Sequence, residues 1–245
     1  MTFILIHGSW HNGSAWYKVE NILRQRGTSV YAPTLSGMGA GDHPAGKHIG
    51  LHAHIQDIVH LIRDNQLQEV ILVGHSYSGL VITGVAERMP DKISKLVFLD
   101  AFIPEDNQSL FDILGPESEA GMRATLVSGE GKSLEEGAEE VWLLPPGDVA
   151  FYLGDDADEE DVAWLTARLV YTPVLTFKEK VRVQNPAARD IPKYFIRCTG
   201  FPYLAAYEEK ARQLGWEVFQ THTGHDAMLT QPQALAEILL KIAAG

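Results

Sequence analysis

The sequence predicts an α/β protein whose core is a parallel sheet of about six strands, with helices on both faces. Short apolar segments alternate with amphipathic ones at both ends of the chain, from Phe3 to Leu99 and from Lys193 to Ala243. The apolar segments are continuous and rich in β-branched residues, as is typical of parallel strands that are buried on both faces. A chain of 245 residues can bury one such core and also carry an insertion.

The predicted elements place the functional groups at one edge of the sheet. Six segments have the short apolar pattern of strands: Phe3–Ile6, Thr28–Ala32, Val70–Val73, Lys95–Leu99, Lys193–Cys198 and Trp216–Thr221. Five further segments have apolar residues at helical spacing: Ser14–Gln25, Leu51–Ile62, Leu80–Arg88, Leu204–Leu214 and Gln233–Ala243. Right-handed crossovers bring the carboxyl ends of all parallel strands to the same edge, where such sheets bind ligands. We therefore expect the chemistry just after these strand ends.

Residues 104–192 interrupt the alternation. They contain several prolines, short helical patterns at Ser109–Leu114 and Asp158–Val170, and an acidic cluster at 155–161. Because strand-like segments resume at Lys193, an insertion is favoured over a separate domain. The predicted organisation is a core of residues 1–103 and 193–245, with an inserted helical cap of residues 104–192 that covers the site and excludes water.

The composition limits the class of partner and the location. Lys and Arg number 20 and Asp and Glu 32, so the formal net charge is -12. Such a surface repels phosphate groups, and neither nucleic acid nor insertion into a membrane is expected. The only cysteine, Cys198, excludes an intramolecular disulfide. The apolar start at Phe3 is too short for a secretory signal, so a cytoplasmic location is expected, and base rates favour a homodimer.

Gly74-His-Ser-Tyr-Ser-Gly79 joins a predicted strand directly to a predicted helix. A serine in this context is held above the sheet edge, where it can act as a nucleophile. Backbone N–H groups at the start of the helix face the place where negative charge develops. Ser78 stands where the G-x-S-x-G pattern has its last glycine, so a small residue is retained. We interpret Ser76 as a nucleophile, with helix capping as the alternative.

His225 is the predicted base among ten histidines. It follows the last strand and precedes the last helix, which places it at the same edge as Ser76 and last in the chain order of nucleophile, acid and histidine. His222 is the rival, but it lies nearer to the strand end. Five further histidines are considered as ligands of a metal ion: His43, His48, His52, His54 and His60. Their spacing matches no metal-ligand motif, so no metal is expected.

The loop after the first strand predicts an oxyanion hole. Gly8 permits a sharp turn, after which the N–H of Ser9 can point into the crevice beside the N–H of Tyr77. Two such donors would stabilise the negative oxygen of a tetrahedral intermediate.

Four stretches carry a resemblance to a known family: Phe3–His11, Val73–Gly79, Leu96–Pro104 and Gly224–Met228. In them the chain resembles α/β-hydrolases of the branch that holds plant methylesterases, hydroxynitrile lyases and small bacterial esterases, including pyrethroid-hydrolase-like enzymes. The resemblance implies a parallel sheet without the usual first two strands, a helical cap and a Ser–acid–His triad. It also implies that Ser9 and Tyr77 supply the oxyanion donors.

In much of the family the triad acid follows the strand that corresponds to Lys193–Cys198 in this chain. This chain has Thr199-Gly-Phe-Pro-Tyr203 at that place, without a carboxylate. Asp100 follows the preceding strand, at the alternative acid position of the wider superfamily, from which a carboxylate could hold Nδ1 of His225. Asp100 is therefore the expected acid. Glu208 is the reserve, and a purely loop-capping Asp100 is the alternative.

The predicted pocket is apolar and is formed by residues near these groups and in the cap: Trp10, Phe102, Trp142, Trp164 and Met228. The predicted function is a carboxylesterase that cleaves small hydrophobic esters through an acyl-enzyme, without any cofactor. One alternative is a lyase of the hydroxynitrile-lyase type, although those relatives have a threonine at Gly8 and a lysine at Asp226. The other is a non-catalytic small-ligand-binding protein on the same scaffold.

Overall fold

The computed structural model describes residues 1–39, 49–128, 142–155 and 157–245. Its strands are β1 (Thr2–Ile6), β2 (Ser29–Tyr31), β3 (Val70–His75), β4 (Ile93–Leu99), β5 (Val127–Ser128), β6 (Trp142–Leu144), β7 (Thr172–Pro173), β8 (Lys193–Cys198) and β9 (Glu217–Thr221). Six of them form one sheet in the order β2-β1-β3-β4-β8-β9, and every neighbouring pair is parallel. The predicted fold class is confirmed.

The helices fill the connections between strands. They are α1 (Tyr17–Gln25), α2 (Leu51–Asp64), α3 (Ser78–Arg88), α4 (Leu110–Leu114), α5 (Pro116–Arg123), α6 (Val149–Leu153), α7 (Glu159–Thr166), α8 (Leu175–Lys178), α9 (Pro186–Arg189), α10 (Ala205–Gln213), α11 (Ala227–Thr230) and α12 (Pro232–Ala244). None of the described helices combines the length and the apolar character that a membrane crossing requires.

The sheet separates two apolar cores, because successive side chains of a strand point to opposite faces. In β3, Leu72 packs with α2, α3 and α10, whereas its neighbours Ile71 and Val73 pack with α1 and α12. All three are at most 2% exposed. This two-sided burial explains why the strands read as continuous apolar runs in the sequence.

The register of the sheet aligns the ends of the central strands. Leu99 at the end of β4 lies between His75 of β3 and Ile196 of β8, and Cys198 at the end of β8 pairs with Thr221 of β9. The loops that carry the predicted functional residues therefore leave the sheet at one edge.

The segment between β4 and β8 carries α4 to α9 and a second, antiparallel sheet in the order β5-β6-β7. Trp10, in the loop after β1, connects this segment to the core. Its backbone N–H donates to Oγ1 of Thr172 at 2.7 Å, and its indole N–H donates to the carbonyl of Leu144 at 3.2 Å. The segment is thus held against the sheet edge from which the loops emerge.

Candidate active site

Ser76 occupies a sharp turn between β3 and α3. Its φ is 55°, in the left-handed region that residues other than glycine adopt rarely and at a cost of about 1–3 kcal/mol. The turn is fixed because Ser76 N–H donates to the carbonyl of Leu99 at 3.2 Å and Phe102 N–H donates to the carbonyl of Ser76 at 3.2 Å. Gly79 is required by the same packing, since a Cβ there would lie 2.0 Å from the carbonyl oxygen of Phe102.

His225 and Asp100 form a buried hydrogen-bonded pair, with 4% and 0% of their surfaces exposed. Nδ1 of His225 donates to Oδ2 of Asp100 at 2.7 Å. Oδ1 of Asp100 accepts from Nη1 of Arg197 at 2.8 Å and from the N–H of Cys198 at 3.2 Å. Because Nδ1 carries the proton in this bond, Nε2 of the neutral ring is the nitrogen that can accept one. The ring of Phe201 covers one face of the imidazole, with 4.3 Å between ring centroids.

The loop after β1 passes close to the serine turn. A Cβ on Gly8 would lie 2.9 Å from Cβ of Ser76, so the approach leaves no room for a side chain at this position. Oγ of Ser78 donates to the carbonyl that precedes Gly8 and fastens the loop to the start of α3. Among the hydrogen bonds of the described residues, none is donated by the backbone N–H of Ser9 or Tyr77. Both residues line the same cavity as Ser76, so these two N–H groups have the capacity to bind a ligand oxygen.

A second buried pair, His11 and Asp226, lies next to the first, and His11 lines the same cavity as Ser76. Nδ1 of His11 is 2.7 Å from the carbonyl oxygen of Ser9, and Nε2 is 2.7 Å from Oδ2 of Asp226. Both oxygens only accept, so both ring nitrogens must donate and the imidazole is protonated. Burial alone lowers the pKa of His11, but the Asp226 carboxylate outweighs it and the net pKa is raised. Burial raises the pKa of Asp226, and the His11 charge overcomes this and lowers it to about 2.

His75 connects the two pairs. Its Nε2–H donates to the carbonyl of His225 at 3.1 Å, and the same nitrogen is 3.7 Å from Oδ1 of Asp226. Burial, assisted by the nearby His225, lowers the pKa of His75 well below its ordinary value of 6.5. His75 is therefore a neutral donor that fixes the backbone of the loop on which His225 is carried.

A cavity of about 230 Å³ joins these groups to the inserted segment. Ser76 and His225 both line it, as do the predicted pocket residues Trp10 and Phe102. Its wall is largely apolar and includes Leu110, Leu114, Met122, Phe151, Phe177 and Tyr203. The arrangement can hold a small apolar ligand with its reactive group next to Ser76.

Three predicted pocket residues lie elsewhere, and the prediction for them is corrected. As the described residues form it, the cavity is not lined by Trp142, Trp164 or Met228. Trp164 stacks on Tyr17 with ring centroids 5.0 Å apart, because α7 packs its indole towards α1. Trp142 lies in β6 and packs on the core that contains α2 and α3, and Met228 is 0% exposed in the opposite core.

The alternatives to Asp100 and His225 have hydrogen-bond partners outside the proposed triad. Glu208, the reserve acid, accepts from Arg212 at 2.7 Å and from Gln220 at 2.6 Å. His222 is exposed and is bonded to Oγ1 of Thr199 at 2.9 Å. Of the residues considered for a metal site, His43 and His48 lie outside the described residues. His54 is buried and its Nδ1 accepts from the hydroxyl of Tyr77 at 3.1 Å, while its Nε2 donates to a backbone carbonyl.

The parallel sheet between two layers of helices, with Ser76, His225 and Asp100 at one of its edges, defines the class of protein. Residues 3–238 match the model of the alpha/beta hydrolase family, and the chain belongs to that family.

Individual relatives narrow the comparison. A carbendazim hydrolyzing esterase of Nocardioides sp. (strain SG-4G) is 34% identical over 244 residues, which cover 97% of each chain. Methylesterase 10 of Arabidopsis thaliana is 26% identical over 258 residues, 99% of this chain and 91% of that protein. The solved structure of an extracellular α/β-hydrolase from a Paenibacillus species has a TM-score of 0.82 and 25% identity, and covers 98% of both chains. These similarities confirm the predicted esterase branch of the family and support a carboxylic ester hydrolase.

Proposed function

We propose that the protein is a serine carboxylesterase that hydrolyses small hydrophobic esters through an acyl-enzyme intermediate. The observation that carries the proposal is the shared cavity: Ser76 and the imidazole of the Asp100–His225 pair line the same apolar space. Acyl transfer by a serine needs this combination, because an alcohol is a weak nucleophile until a base removes its proton.

In the proposed mechanism Ser76, His225 and Asp100 are the catalytic triad. Nε2 of His225 takes the proton from Oγ of Ser76 as the oxygen attacks the ester carbonyl, and then delivers it to the departing alkoxide. A water molecule, activated by the same nitrogen, releases the acid from the acyl-enzyme. Asp100 keeps the ring in the tautomer that leaves Nε2 unprotonated and stabilises the imidazolium when it forms, with an oxygen 2.7 Å from Nδ1.

The N–H groups of Ser9 and Tyr77 are the proposed oxyanion hole. Their backbone positions are fixed on two sides, because Ser78 ties the loop after β1 to α3 and His54 holds the hydroxyl of Tyr77. Donors that are already in place need no reorganisation as charge develops on the carbonyl oxygen, and each is worth about 10²–10³ in rate.

The residues of the inserted segment are proposed to act as a cap that selects the substrate. Leu110, Leu114 and Phe177 line the same cavity as Ser76, and a space of about 230 Å³ fits a small acyl or alcohol group. An apolar wall also excludes water, which strengthens the interactions of the oxyanion with its donors. A cytoplasmic location and a homodimeric state belong to the same proposal, and cell fractionation and light scattering measure them.

A lyase of the hydroxynitrile-lyase type is disfavoured by two residues. The position where those relatives have a threonine is Gly8, whose missing Cβ would lie 2.9 Å from Cβ of Ser76. The position of their lysine is Asp226, whose carboxylate points away to His11. The lysine that would stabilise a departing cyanide in those relatives is therefore replaced by a carboxylate, and the protonated His11 is held by that carboxylate.

The proposal is tested by labelling and by turnover. A fluorophosphonate probe should add one label to the wild-type protein, at Ser76, and Ser76→Ala should remove the label and lower kcat for a short p-nitrophenyl ester by about 10⁴–10⁶. Ser29→Ala, an exposed serine in the edge strand β2, is the matched control and should keep both. A wild-type protein that neither reacts with the probe nor hydrolyses the ester would refute the proposal.

The assignment of Asp100 as the triad acid is tested separately. Asp100→Asn should lower kcat by about 10⁴, because the amide favours the wrong tautomer of the ring. Glu208→Gln should behave like the wild type, since Glu208 is bonded to Arg212 and Gln220 rather than to His225. Wild-type turnover in Asp100→Asn would remove Asp100 from the mechanism.

A further inference from the structure

Arg197 is a buried cation next to the proposed triad that the mechanism above does not use. It lies in β8 and is 3% exposed. Its Nη1 donates to Oδ1 of Asp100 at 2.8 Å and to the carbonyl of Cys198, and its Nη2 donates to the carbonyl of Phe201. One guanidinium therefore connects the carboxylate that holds His225 with the loop whose Phe201 ring covers the same imidazole.

The two oxygens of Asp100 have separate partners. Oδ1 accepts from Arg197 at 2.8 Å and from the N–H of Cys198 at 3.2 Å, and Oδ2 accepts from His225 at 2.7 Å. A carboxylate held on one oxygen by a planar cation has little freedom to rotate. The other oxygen consequently stays in the plane and at the distance that the imidazole requires.

The other titratable groups around His225 supply no second cation to Asp100 among the described residues. His75, with its ring centroid 4.3 Å away, has its pKa lowered by burial and is neutral. Cys198 has its pKa raised by burial and stays a thiol. Asp226 is compensated by His11. Within the part of the chain that the structure describes, Arg197 is the cation bonded to the acid.

We propose that Arg197 is a positioning residue for the triad: it orients the Asp100 carboxylate and anchors the Phe201 loop against His225. The inference rests on the proposed function, because it acts through the triad. It predicts that substitutions of Arg197 lower kcat rather than raise KM, and that the loss grows as more donors of the planar fork are removed.

The test compares kcat and KM of Arg197→Gln and Arg197→Lys for a p-nitrophenyl ester. Arg197→Gln removes the charged donor to Asp100, so kcat should fall about a hundredfold while KM stays within about twofold of the wild type. Arg197→Lys keeps a charged donor to Asp100, but its single ammonium cannot serve Asp100 and the Phe201 carbonyl together, so kcat should fall only about tenfold, again with little change in KM. Arg63→Gln, an exposed arginine of α2 paired with Asp64, is the matched control and should change neither quantity.

The outcomes separate this inference from the proposed function. Labelling of wild-type Ser76 by the fluorophosphonate probe, together with wild-type kcat in both Arg197 variants or with a loss confined to KM, would overturn the inference alone. Absence of labelling and turnover in the wild type would overturn both. If Arg197→Gln does not fold, as judged by near-UV circular dichroism, Arg197→Lys decides: a lowered kcat with unchanged KM supports the role, and wild-type kcat overturns it.

Discussion

The ion pair of His11 and Asp226 gives the sharpest test of the electrostatics of this site. The two side chains are 1% and 0% exposed, and the atoms in contact are 2.7 Å apart. The perturbation is a double-mutant cycle of His11→Gln, Asp226→Asn and the double variant. Each single change leaves one member of a buried pair without its partner, whereas the double change removes both charges.

The magnitude follows from this burial. Removing one partner of a buried ion pair destabilises a protein by about 3–5 kcal/mol, because the remaining charge has lost both water and its counter-ion. The double variant has no charge left to strand, so its loss should be smaller than the sum of the two single losses. We expect a coupling energy of about 2–3 kcal/mol, which is large for one pair of side chains.

The assay is urea unfolding followed by tryptophan fluorescence, at several pH values. The folded-state pKa of Asp226 is lowered to about 2, so its stabilisation is present above its unfolded value of 3.8 and is lost as pH falls through the folded value. The folded-state pKa of His11 is raised, so its stabilisation is present below 6.5 and is lost as pH rises through the folded value. The advantage of the wild type over the double variant should therefore peak between pH 3.8 and 6.5.

The exposed pair of Asp91 and Lys92 provides the control. Asp91 has a side chain that is 70% exposed, and solvent screens such pairs, so the same cycle there should give a coupling below about 1 kcal/mol. A coupling of the same small size at His11 and Asp226, or an advantage of the wild type that is as large well below pH 3.8 and well above pH 6.5 as it is between them, would refute the assignment of a buried ion pair.

Three further predictions concern packing and substrate contact. Gly79→Ala should destabilise the fold by about 1–3 kcal/mol in thermal unfolding, because its Cβ would meet backbone at 2.0 Å, whereas Gly121→Ala meets nothing within 4 Å and should not destabilise it. Gly8→Ala should lower kcat/KM for a p-nitrophenyl ester while the protein stays folded, because the new Cβ would lie 2.9 Å from Cβ of Ser76 and would push Ser76 out of position. Unchanged kinetics would contradict the close approach of the two residues. Tyr203→Ala should raise KM for a phenyl ester about two- to tenfold with little change in kcat, since Tyr203 lines the cavity and is 69% exposed; a loss confined to kcat would oppose a binding role.

The sheet was largely predictable because its signal is local. The strand Lys193–Cys198 was predicted with the bounds that the structure has, since a continuous apolar run needs no knowledge of its neighbours. The helix predicted over Asp158–Val170 is shorter, at Glu159–Thr166. Asp158 caps its start through the N–H of Asp161, and the inserted segment lacks the strict periodicity that would fix where the helix ends.

The site was predictable only in part. Ser76 and His225 could be selected from their places after strands, but the choice between Asp100 and Glu208 depends on which carboxylate reaches the imidazole. Trp164 was expected in the pocket and instead stacks on Tyr17, because composition does not give the direction of a side chain. The His11–Asp226 pair joins residues 215 positions apart, and no local pattern marks it.

The reactivity of Cys198 reports whether the central sheet is intact. The thiol is fully buried under the carbonyl of His225, and burial raises its pKa well above the ordinary value. Alkylation in native buffer therefore requires β8 to separate from its neighbours. Because the sequence has one cysteine, no engineered label is needed. The rate of reaction with iodoacetamide measures how often β8, the strand that carries Arg197, separates from its neighbouring strands.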